Sequence, residues 1–135
     1  MSYAASAALQ AAIYQHLASD AALAGLVGGA IYDAAPAGAL PDTYVSLGPE
    51  EVRDRSDASG GGAWHFVTIS VLTANAGFQP AKDVAAAISD ALAGAELGLG
   101  RGRLAGLHFH RARARRDGAL RRIDLTFRAR VDDAA

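Results

Sequence analysis

The chain has 135 residues, 51% hydrophobic and 20% charged, with 13 Lys plus Arg against 14 Asp plus Glu. A chain of this length buries roughly two-thirds of its unfolded surface, enough for one core and too little for two, so residues 1–135 are read as a single domain. The absence of cysteine excludes disulfides, thiolate metal sites and a cysteine nucleophile, and with no stretch near ~18 continuous apolar residues and no basic residue in the first ten, neither a membrane anchor nor a signal peptide is expected.

Ser2 to Leu17 is alanine-rich and places Leu9, Ile13 and Leu17 on one helix face, with Ser2 positioned as the cap. Ala21 to Val27 follows as a short helix that Asp20 caps and Gly28-Gly29 ends. Ala30 to Asp33 and Thr43 to Leu47 read as strands flanking a proline-containing loop. Residues 49–62 are polar, of mixed charge, and end in glycines, so they are expected to form a flexible excursion in which Glu50 and Glu51 stay too exposed for acid–base work. Ala63 to Thr73 is the clearest strand, with His65, Val67, Ile69 and Val71 on one face and Trp64, Phe66, Thr68, Ser70 and Leu72 on the other. Pro80 suits the first turn of a second principal helix, Ala81 to Ala93, which Gly94 closes. Leu97 to Gly106 is glycine-studded and reads as irregular.

Leu107 to Arg116 and Leu120 to Val131 flank Asp117-Gly118, the dipeptide of type I′ turns, so residues 107–131 are read as a hairpin. That turn sets Arg116 against Ala119, Ala114 against Arg121, Ala112 against Ile123, His110 against Leu125 and His108 against Phe127. The other face then sets Arg111 against Asp124, Arg113 against Arg122 and Leu107 against Arg128, leaving Arg113 and Arg122 as facing like charges. The expected class is α+β: an antiparallel or mixed sheet of four to five strands with two principal helices packed on one face.

The near-neutral total conceals a division. Residues 1–100 carry Arg53, Arg55 and Lys82 against ten acids, whereas residues 101–131 carry ten arginines against Asp117 and Asp124. A surface of this kind seeks an acidic partner, either nucleic acid or another copy of the chain. A single-strand platform would also want aromatics on the basic face, and only Phe109 is placed there by the expected register. His108 and His110 share a face at i, i+2 spacing but lack a nearby carboxylate, so packing is favoured over metal binding. The glycine-rich segment Gly98 to Gly106 follows a helix and leads into a strand, the reverse of a phosphate loop. No serine lies in a G-x-S-x-G context, and no catalytic constellation, metal site or cofactor site is found.

The ordered passages LQAAIYQHLASDAALAGLVGGAIYDAAP (Leu9 to Pro36), LPDTYVSLG (Leu40 to Gly48) and WHFVTISVLTANAGFQPAKDVAAAISDAL (Trp64 to Leu92), closed by an arginine-rich hairpin, resemble the tail terminator or tail-completion proteins of long-tailed phages. More narrowly, the chain is similar to the form found in alphaproteobacterial gene transfer agents. The resemblance covers essentially the whole chain and rests on packing patterns, so it transfers no catalytic residue. It implies a non-enzymatic virion protein: a ring, usually of six copies, at the head-proximal end of the tail, assembled in the bacterial cytoplasm. Its partners would be itself, the tail tube protein and a head–tail connector or stopper, with DNA passing through without sequence-specific binding and no membrane partner. The candidate interface residues are Glu50, Glu51, Arg53 and Arg55 in the excursion and Arg111, Arg113, Arg122 and Arg128 on the hairpin. A small nucleic-acid-binding module using the same hairpin is the alternative; it predicts DNA affinity that falls steeply with salt.

Overall fold

The alanine-rich start forms helix α1 (Ser6–Ala18), which buries Leu9, Ile13 and Leu17 at their expected spacing. The computed structural model describes residues 3–34, 36–54 and 61–132, so the expected Ser2 cap lies outside the described residues; Ala5 occupies the cap position without a side-chain hydrogen bond. Helix α2 (Ala21–Val27) is capped as expected, with Asp20 accepting from the Leu23 N–H at 2.9 Å, and ends at Gly28, whose φ is 60°. It leads into the short strand β1 (Ile31–Tyr32), which runs parallel to β2 (Thr43–Asp54).

β2 corrects the expected excursion. Instead of ending at Leu47, it continues to Asp54, with Glu50 to Asp54 paired against Val67 to Ala63 of β3 (Gly62–Thr73). The register shifts between Leu47 and Glu50, around Gly48-Pro49. Proline removes a ladder donor and suggests a strand end in sequence, but an irregularity absorbs it, and twelve-residue β3 supplies a template for the polar continuation. Residues 55–60, including Arg55, lie outside the described residues.

Helix α3 (Gln79–Leu92) carries Pro80 in its first turn and buries Val84, Ile88 and Leu92. Gly94, at φ 74°, turns the chain out and donates to the Leu107 carbonyl at 2.8 Å. Strands β4 (Arg103–Asp117) and β5 (Leu120–Asp132) complete a five-stranded mixed sheet in the order β1-β2-β3-β5-β4. Residues from all three helices join the core on one sheet face, where Val67, Ile69, Val71, Ile123, Leu125 and Phe127 are buried. The α+β class and one-sided helix packing therefore hold.

The hairpin register differs from expectation by two residues. The turn residues are Gly118 and Ala119, between paired Asp117 and Leu120, and only Gly118 has positive φ, at 62°. This is the glycine-first arrangement of a type II′ turn, which spares Asp117 a left-handed backbone. Arg113 consequently faces Asp124, and the like-charge pairs are Arg115 with Arg122 and Arg116 with Arg121. A second irregularity, between Phe109 and Arg111, reverses the faces farther along β4: Leu107 faces Ala129 and is fully buried, while Phe109 faces Phe127. Leu107 thus belongs to the core rather than the polar face. His108 faces Arg128 instead of Phe127, and His110 lies edge-on to Phe66 at 5.2 Å between ring centroids.

Candidate assembly surface

The sheet face away from the helices is the candidate surface. Sequence alternation places Trp64, Phe66, Thr68 and Ser70 of β3 there, and the ladder sets them opposite Arg130, Arg128, Thr126 and Asp124 of β5. The Arg128 guanidinium lies 4.6 Å from the Trp64 ring centre and that of Arg130 5.9 Å, so the indole carries two cations. Arg53 lies 5.3 Å from the Phe66 ring centre and pairs with Glu51 at 3.2 Å. A shallow cleft of about 410 Å³ opens between these groups, lined in part by Glu51, Arg53, Phe66, Thr68 and Arg111. Arg128 has a buried Nε with no hydrogen-bond partner among the described residues.

Toward the hairpin turn, the same face holds a polar cluster. Asp124 Oδ1 accepts from Ser70 Oγ at 2.6 Å and from Arg122 Nε at 2.7 Å, while Arg115 lies 3.6 Å from Oδ2. Arg122 also reaches Asp117 at 3.4 Å. Burial opposes the Asp124 charge, but the hydrogen bonds from Ser70 and Arg122 and the charges of Arg122 and Arg115 outweigh it, holding its pKa below the ordinary carboxylate value. Arg122 is correspondingly held more firmly protonated, first by its Asp124 hydrogen bond. The like charges of the hairpin are therefore partly neutralised within the chain by Asp124 and Asp117, a solution hidden by the expected register.

The structure separates the two glutamates that sequence reading kept together. Glu51 faces outward opposite Phe66, whereas Glu50 pairs in register with Val67 and turns toward the N-terminal segment. Tyr3 Oη and Ser6 Oγ each donate to Glu50 Oε1 at 2.6 Å, and the fully buried His65 places Nδ1 3.3 Å from Oε2. Burial would raise the Glu50 pKa, but the hydrogen bonds from Ser6, Tyr3 and His65, together with electrostatic attraction to the His65 imidazole, lower it below the usual value. Glu50 is thus a partly buried tether for the start of α1 rather than a carboxylate in an exposed loop.

Arg111 and Arg113, predicted interface residues, are exposed on β4 and form no ion pair among the described residues. Arg53 and Arg128 join them on the outward face, Arg122 is committed to the Asp124 cluster, and Arg55 lies outside the described residues. The sequence reading missed the aromatic floor formed by Trp64 and Phe66 on this face. Its signal was the alternation of β3, but the aromatic contribution was sought in Phe109, which the irregularity turns toward Phe127. Among the described residues, no group of three His, Asp or Glu side chains is arranged to hold a metal ion.

The family profile described as tail completion protein gp17 matches residues 11–132. A solved chain from the virion of a native gene transfer agent particle shares 62% sequence identity, with a TM-score of 0.93 over 97% of this chain and 99% of its own. No curated protein matches significantly. An outward face built from ion pairs and stacked arginines agrees with a binding role, and the family match spans most of the chain. The chain therefore belongs to the tail completion protein gp17 family, resembles the gene transfer agent virion component along nearly its whole length, and is a structural protein rather than an enzyme.

Proposed function

We propose that this protein forms a ring of six copies that terminates the tail tube and joins it to a head-side connector or stopper in a gene transfer agent particle. The observation that carries the reading is the 62% identity to a gene transfer agent virion chain over 97% of this one. The partners are then other copies, the tail tube protein and the connector; DNA passes through the ring without sequence-specific contacts. Assembly takes place in the bacterial cytoplasm, and the finished ring lies at the head-proximal end of the tail.

Arg111, Arg113 and Arg128 supply outward-facing cations, with Glu51 and Arg53 at the neighbouring cleft. Glu50 and Arg122 contribute by holding the α1 start and the hairpin in place. The division of charge along the chain supports contacts between unlike surfaces, which close into a ring when the rotation between copies permits. Native mass measurement and negative-stain imaging test the reading, using the purified chain alone and with tail-tube subunits. Rings that bind tube ends are expected; a monomer that never joins tails overturns the proposal.

A further inference from the structure

The two open edges of the sheet carry opposite charge. Among the described residues β4 pairs only with β5, and β1 only with β2, so each has one backbone edge with no strand partner among them. From Arg111 to Asp117 the β4 pairing is continuous, and this edge strand carries exposed Arg111 and Arg113 on the outward face and exposed Arg116 on the helix side, none ion-paired among the described residues. Phe109, beside them, is 48% exposed despite facing buried Phe127. The opposite flank has Asp33 immediately after β1 and Asp42 immediately before β2, both exposed and without ion pairs among the described residues. Leu40, two positions from Asp42, is also exposed.

Each flank therefore combines unpaired charges of one sign with an exposed apolar side chain. We propose that the β4 edge of one copy docks on the β1 flank of the next, with Arg111 and Arg113 answering Asp33 and Asp42 and with Phe109 covered by the contact. This inference rests on the ring reading and specifies which surfaces make the ring. Pairing β4 with another β4 would oppose arginine rows, an unfavourable arrangement. A nucleic-acid strand would answer the arginines but leave the acidic flank unmatched and repelled. A second copy satisfies both flanks at once, and the contact is head-to-tail because the flanks lie at opposite ends of the strand order.

Charge exchange tests the assignment. The R111E/R113E variant has two acidic flanks and the D33R/D42R variant two basic ones, so each alone should associate about tenfold more weakly or worse than the unaltered chain. Mixing the two variants re-creates opposite charges at every contact and should restore rings with alternating subunits, a rescue that misfolded chains would not give. Native mass measurement reads the composition. If the unaltered chain forms rings but either variant alone does so equally well, or the mixture stays unassembled, the edge assignment is overturned while the ring stands. If the unaltered chain forms no ring alone or on tail tubes, the ring reading itself fails.

Discussion

Asp124 and Glu50 are carboxylates whose neighbours hold them ionised against the cost of burial. Both have folded-state pKa values below their ordinary ones, so their stabilising contribution is fully present above the unfolded carboxylate range. It is lost as pH falls from that range, about 4, through the lower folded values. Replacing them together by Asn and Gln should therefore flatten the fall in stability on acidification, measured as urea midpoints at successive pH values. At neutral pH, Asp124→Ala should cost about 1–3 kcal/mol, because Arg122 and Ser70 lose their shared acceptor. Neither network was legible in the sequence. Asp124 and Ser70 are 54 positions apart, and Glu50 and Ser6 are 44 apart, so only strand pairing and the placement of α1 bring them together.

Among the elements, the caps and turns were more legible because their chemistry is local. Asp20 capping depends on three following residues, and Asp20→Ala should cost about 1 kcal/mol in a denaturation experiment. Gly118→Ala should cost about 1–2 kcal/mol through the left-handed backbone alone, since among the described residues nothing beyond its two chain neighbours lies within 4 Å of the position its Cβ would take. The hairpin shows where local reading stops. Choosing Asp117-Gly118 rather than Gly118-Ala119 changes every cross-strand partner but, because the slip is two residues, preserves the faces. The apolar face of β5 was therefore legible although Arg113 was assigned the wrong partner. Within residues 107–131, the irregularity after Phe109 exchanged faces, placing Leu107 in the core and His108 opposite Arg128.

At the scale of the molecule, Phe127 ties the hairpin to the core: it is fully buried, faces Phe109 and joins the cluster with Val84, Ile88 and Leu92 of α3. Phe127→Ala should remove about 3–5 kcal/mol, a large part of the stability ordinary for one domain. A single cooperative transition, coincident by fluorescence and circular dichroism, is the expected unfolding behaviour of the chain and its variant. Periodicity, prolines and glycines were sufficient to identify the helices, the principal strand, the terminal hairpin and the unequal charge along the chain, because these depend on neighbours within a few positions. The tertiary structure alone decided that Glu50 faces the α1 start, that Arg122 is neutralised internally, and that β1 and β4 lie at opposite edges. Those outcomes depend on strand order and register, set by packing between residues tens of positions apart; this is how a charge difference along the sequence becomes a charge difference across a sheet.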